Sequence, residues 1–264
     1  MVKLKRSTRR RLTQAVLYGL LLAGMLALAF AADWAAIKEN YFDVEVLREL
    51  WPEIITVGVR NVIVFTVIAF AGGLVLALVL ALMKLSPVAP YRWMATAYIE
   101  FFRGLPALLV ILAVGFTIPI AFHWTPPGGT VGAGLFALTL VSAAYIAETL
   151  RAGIQAVPKG QSEAARSLGM SGPWTTASVV LPQAFRIVIP PLTNEFVLLI
   201  KDTSLLFVIG VAMNQRELTT FTRDAASTYG NSSSYTAAAV AYLVITLPLT
   251  RLVARLERRQ GRAR

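Results

Sequence analysis

PKGQSEAARSLGMSGPWTTASVVLP, residues 158–182, is a polar and charged stretch set between two apolar segments. Its local grammar predicts two short helices. Pro158 suits a helix start, with KGQSEAARSL following it. Gly169 tolerates the left-handed conformation that ends such a helix. Ser171, with Pro173 two residues on, predicts a second helix whose free amides the hydroxyl caps. Pro182 and then Pro190-Pro191 punctuate the chain before the next apolar segment. A unit of this kind is either a plain connector or a docking surface, and its length and structure favour docking.

Composition explains what the stretch interrupts. Of 264 residues, 56% are hydrophobic and only 15% charged, with mean hydropathy +0.65. A soluble domain carries closer to one-quarter charged residues. The net charge of +11 is compatible with nucleic-acid binding until its placement is read. Basic residues crowd the two ends: Lys3, Lys5, Arg6, Arg9, Arg10 and Arg11, then Arg251, Arg255, Arg258, Arg259, Arg262 and Arg264. No basic face interleaved with aromatics lies between them, so no nucleic-acid partner is expected. Positive flanks beside apolar spans are instead a cytoplasmic membrane signature. The chain has no cysteine and one histidine, His123, which excludes disulfides, thiolate chemistry and His-pair metal sites. GxxxxGK[ST] is absent, so this chain binds no nucleotide in the P-loop manner.

Six apolar segments run roughly 12–32, 56–83, 94–122, 133–156, 192–212 and 236–256. Each is long enough to cross a hydrocarbon core of about 30 Å as a helix. The first also resembles a signal peptide, but its apolar stretch is longer than a usual signal core, which favours a retained anchor. Segment 33–55 holds Asp33, Glu39, Asp43, Glu45, Glu49 and Glu53 against Lys38 and Arg48. Basic ends and an acidic outer segment predict both termini in the cytoplasm, with 158–182 on the same side. Trp34, Trp51, Trp93 and Trp124 fall at predicted span ends, as belt residues should. His123 beside Trp124 reads as another interface residue. Gly72-Gly73 in span two predicts close helix packing.

The order Glu163-Ala164-Ala165, three residues, Gly169, nine residues, Val179, one residue, Leu181-Pro182 resembles the EAA loop of bacterial ABC importer permeases. The usual pattern has Ile at 179. AAYIAETLRAGIQAVPKGQ (143–161), EFFRGLP (100–106) and LLIKDTSLLFVIG (198–210) resemble the polar amino acid uptake permeases of the histidine, glutamine, arginine and glutamate systems. Leu105 stands where Thr is common. The resemblance covers about 56–256 and implies an all-α transmembrane fold, a five-helix type I importer core plus one N-terminal helix. The expected organisation is a basic N-terminus, first helix and acidic outer segment over 1–55, a transmembrane domain over 56–256, and a basic tail over 257–264. The resemblance also implies that the loop couples to a separate ATPase dimer through Glu163, Ala164, Ala165, Gly169, Leu181 and Pro182. ATP and magnesium would sit on that partner and no cofactor on this chain. The other implied partners are a second permease, identical or paralogous, and an extracytoplasmic amino-acid-binding protein.

Lys201 and Asp202 are expected near the middle of span five, where a charge must face a partner or a watery cavity. With Thr203 and Ser204 they form a candidate substrate path, weighed against an internal ion pair holding helices together. Glu148 with Arg151, and Glu100 with Arg103, are three apart and are expected to pair on their helices. Glu195 is expected to open span five, where an acid favours the positive helix end. The expected function is the permease subunit of an ATP-driven importer for amino acids of the glutamate, glutamine or basic class. The alternatives are a permease for an opine or ammonium compound, an ATP-independent channel, and, least favoured, a membrane enzyme.

Overall fold

A computed structural model describes residues 6–261; Lys3, Lys5, Arg262 and Arg264 of the basic ends lie outside the described residues. The described chain is helical almost throughout. Helix α1 (Arg6–Ala31) leads to α2 (Trp34–Tyr41), α3 (Val44–Glu53) and, across a π-helical turn at Ile54–Val59, to α4 (Arg60–Leu85). Then come α5 (Ala89–Gly104), α6 (Ala107–Leu112), a π-helical turn at Ala113–Thr117, and α7 (Ile118–Phe122). Helix α8 (Gly129–Gln155) precedes α9 (Lys159–Ser167) and α10 (Gly172–Thr175). A π-helical turn at Thr176–Val180 joins α10 to α11 (Leu181–Asp202), which tightens into a 3-10 segment at Thr203–Val208. Helices α12 (Leu218–Tyr229) and α13 (Ser233–Gly261) complete the fold.

Five helical runs are long and apolar enough to cross a membrane: Arg10–Ala31, Trp34–Leu85, Gly129–Gln155, Gly172–Val208 and Ser233–Arg258. The pair Ala89–Gly104 and Ala107–Phe122, bent by 104° at Leu105-Pro106, makes a sixth when taken as one span. Pro106 cannot donate to a helix ladder, so the turn falls where the sequence removes a donor. Hydropathy over 94–122 shows one apolar segment and no corner.

Three expectations change. The acidic segment 33–55 is helical, and two of its acids are caps. Asp33 accepts from the Ala36 amide, and Asp43 from the Glu45 and Val46 amides. Val46, Leu50 and Ile54 recur at helical spacing and bury against Leu218, Phe221 and Ala238. The fifth span begins far before residue 192, because Pro182, Pro190 and Pro191 sit inside a continuous helix and do not precede one. Glu195 is therefore mid-helix, and Lys201 and Asp202 lie at its end.

Helices α4 and α8 form the centre. A Cβ built on Gly72 would lie 3.0 Å from Thr139 Cγ2, and one on Gly73 2.3 Å from Ser142 Oγ. Small residues let two backbones approach where lipid offers no hydrophobic drive for association. On either side lie apolar clusters, one around Phe65, Ile111, Leu138 and Leu206, another around Leu80, Ile99 and Ile146. Helix α1 stands outside this packing, exposed along its length from Arg10 to Ala31.

Gly153 on α8 faces Val188 on α11, and a Cβ there would lie 1.9 Å from Val188 Cγ1. Val188 is stiff at its branch point and cannot swing aside cheaply. Gly153→Ala is expected to cost about 1–3 kcal/mol of stability as overpacking. Gly24→Ala, with nothing within 4 Å of its Cβ position, should cost little. Thermal unfolding of both variants in detergent checks the difference.

Candidate functional site

The polar stretch stands between α8 and α11 as a helical corner. Helix α9 starts after Pro158 and buries one residue, Ala165, while Glu163 and Ala164 stay exposed. Its end is a Schellman closure: the Gly169 amide donates to Arg166 O at 2.9 Å and the Met170 amide to Ala165 O at 3.2 Å. Gly169 takes φ +87° to allow it. Gln183 Nε2 donates to Val179 O at 3.0 Å and to Gln161 Oε1 at 3.4 Å, tying the start of α11 back to α9. Leu181 is half-buried and Pro182 exposed at this junction. Leu168 is 86% exposed and Trp174 63% exposed.

Ser171 does not cap α10 with its hydroxyl as expected. Its carbonyl instead accepts from the Thr175 amide at 2.8 Å and from Thr175 Oγ1 at 2.9 Å. The second short helix is the first turn of the long run that becomes α11.

About two turns before α8 ends, it is tied to α4 through a shared carboxylate. Glu148 Oε2 accepts from Lys84 Nζ at 3.0 Å and from Arg151 Nε at 3.0 Å, while Oε1 accepts from Arg151 Nη2 at 2.5 Å. Arg151 Nη1 also donates to Gln155 Oε1. Spacing revealed Glu148 with Arg151 but not Lys84, which lies 64 residues away. The available signal was a lysine in the last turn of an apolar helix, which needs an anionic partner. Glu100 and Arg103 do not pair: Glu100 is exposed, and the Arg103 guanidinium lies 5.6 Å from the centre of the Tyr145 ring. The aromatic face on α8 offers Arg103 a competing partner.

A cavity of about 340 Å³ opens under the 104° bend. Leu105, Pro106 and Ala107 form one wall, Ser142 and Tyr145 of α8 another, and Glu195 and Asp202 of α11 a third. The two acids are seven apart and share a helix face. Of the four candidate path residues, only Asp202 lines this cavity. Lys201 is exposed elsewhere, Thr203 is buried with its hydroxyl donating to Ile200 O at 2.6 Å, and Ser204 is half-buried outside the lining. Glu195 was read as a helix-end acid, since its partner in the cavity is visible only once α11 is known to start at Leu181.

A second buried acid was missed entirely. Glu217 caps α12: its Oε2 accepts from the Thr219 amide at 2.6 Å, and its Oε1 from the Thr220 amide and Thr220 Oγ1, each at 2.6 Å. Burial raises its pKa, against the hydrogen bonds to Thr220 and Thr219, which lower it. Asn61 Nδ2 donates to Asn214 O and Arg216 O, fixing the turn beside it to α4.

A family described as binding-protein-dependent transport system inner membrane component matches residues 73–262. The probable glutamine ABC transporter permease protein GlnM of Bacillus subtilis (strain 168) is 40% identical over 204 residues, 76% of this chain and 91% of that protein. The arginine transport system permease protein ArtQ of the same organism is 34% identical over 208 residues, 76% of this chain and 90% of that protein. A crystal structure of an amino acid ABC transporter with histidines superposes with TM-score 0.74 at 36% identity, covering 82% of this chain and 98% of that one. The MetNI methionine ABC transporter, at 19% identity and TM-score 0.63 over 76% of this chain and 93% of that one, shares the fold.

Glu217 gives a pH test. A carboxyl raised in the folded state adds stability below its ordinary value of about 4.3, and that contribution disappears as pH climbs through the raised value. The wild type should lose stability relative to Glu217→Gln across that rise, measured by thermal unfolding at stepped pH.

Proposed function

The chain belongs to the binding-protein-dependent transport system inner membrane components, and from that membership we propose the permease subunit of an ATP-driven importer for amino acids with cationic side chains. It crosses the bilayer with both termini in the cytoplasm, pairs with a second permease to form the translocation path, and receives solute from an extracytoplasmic binding protein. A separate ATPase dimer, holding ATP and magnesium, docks on residues 158–182. Two features support docking: Glu163, Leu168 and Trp174 are exposed together, and the corner is anchored by Ala165 and the Gln183 bonds. Helix α9 offers a carboxylate and an apolar edge to a groove on the partner.

The solute class rests on one observation: Glu195 and Asp202 line the same cavity. An amino acid with a basic side chain carries two cations and one carboxylate. The two acids suit its two cations, and Arg103, at the edge over Tyr145, suits the carboxylate. Leu105 and Leu198 supply an apolar wall for the aliphatic stem. The site performs no covalent chemistry. It holds a solute loosely while the dimer halves move as rigid bodies, driven through α9 by closure of the ATPases. Names among the relatives include arginine and glutamine systems, and the paired acids favour the former class.

Two measurements test this. Glu163→Ala combined with Gly169→Asp should abolish co-purification of the ATPase and uptake in vesicles, because one change removes the carboxylate and the other strains the left-handed closure. Survival of both activities would refute docking. In the assembled transporter, Asp202→Asn should weaken uptake of labelled arginine by roughly tenfold or more, the equivalent of one lost charge-assisted contact. Unchanged arginine uptake in that variant, or competition by glutamate as strong as by lysine, would refute the cationic assignment.

A further inference from the structure

The last helix carries one continuous exposed stripe, along which Val240 and Val244 also edge an apolar groove beside α3. Val240, Val244 and Leu247 are 54%, 66% and 46% exposed, and Arg251, Arg255 and Arg258 continue the line, all three exposed. At 100° per residue these six positions fall within an arc of about 80°. Glu257 lies about 120° from the centre of that arc. Among the described residues, no carboxylate lies within ion-pair distance of any of the three arginines. Helix α13 has 29 residues, so at about 1.5 Å each it is roughly 43 Å long, well beyond a hydrocarbon core of about 30 Å. The apolar half of the stripe therefore faces acyl chains, and the arginine half emerges at the depth of the headgroups.

We propose that Arg251, Arg255 and Arg258 form a binding site for the phosphate of anionic phospholipid headgroups in the leaflet where α13 ends. Guanidinium groups match phosphate oxygens in paired hydrogen bonds. The valines and leucine above them take the acyl chains of the same lipid, which a free phosphate cannot use. The site requires only that α13 crosses a bilayer and is independent of the solute assignment.

The test uses the full chain in nanodiscs of phosphatidylcholine, alone or with phosphatidylglycerol, followed by extraction and native mass spectrometry of retained lipid. Wild type should retain phosphatidylglycerol selectively. Each basic residue near an anionic leaflet contributes roughly a five-fold factor, so Arg251→Gln/Arg255→Gln/Arg258→Gln should lower retention on the order of 100-fold. The corresponding triple Lys variant, which keeps the charges and loses the paired hydrogen bonds, should restore retention only in part, and Arg255→Gln alone, should the triple variant fail to fold, should show the single factor. Inorganic phosphate at matched ionic strength should not displace the lipid. The proposal fails if the Gln variants retain as much phosphatidylglycerol as wild type. Displacement by inorganic phosphate alone would also refute it, as would loss of only permease–permease or ATPase association in the variants. A wrong solute assignment alters uptake and leaves lipid retention unchanged.

Discussion

Hydrocarbon supplies no hydrogen-bond partner, so every backbone amide and carbonyl within the bilayer must be satisfied by the chain itself. That constraint shapes the helices of this protein more than side-chain preference does. Prolines at 52, 190, 191 and 248 sit inside helices, where in water they would end them. π-helical turns at Ile54–Val59, Ala113–Thr117 and Thr176–Val180 adjoin Pro52, Pro119 and Pro182 and redistribute the ladder there. Hydroxyls fold back onto carbonyls as well: Thr66 onto Val62, Thr139 onto Leu135, Thr193 onto Ile189 and Thr246 onto Tyr242. Among the described residues, no buried side-chain nitrogen or oxygen is left without a partner.

With hydrophobic drive weak between spans, contact depends on surfaces that fit. Gly73 admits Ser142, Gly134 admits Leu206, and Gly153 admits Val188. These contacts run along α8 from Gly134 to Gly153 and pack α4 and α11 closely against it. The shared carboxylate of Glu148 fastens α4 to α8 immediately before α9 leaves the bundle. In the proposed reading α11 carries work from the corner to the acidic cavity, since one helix joins Leu181 to Asp202.

The resemblance read from Glu163-Ala164-Ala165 and Gly169 agrees with the family match over 73–262 and the likeness to an amino acid transporter structure. The same residues also foretold the local shape, since Pro158 and Gly169 begin and end α9 as their backbone limits require. Ser171 was misread because a capping hydroxyl and a helix-continuing turn look alike over four residues. Glu100 and Arg103 were misread because their spacing permits a pair without requiring one.

The sequence alone determined that apolar helices alternate with one polar corner after Pro158 and that Gly72-Gly73 meets another helix, because each follows from composition or backbone limits within a few residues. Only the tertiary structure decided that the 104° bend opens a cavity, that Glu195 and Asp202 share it, and that Lys84 completes the Glu148 site. Those arrangements join positions as much as about 100 residues apart. Their partners are chosen by helix packing and by which charges the bilayer forbids to stand alone, and no local pattern carries that information.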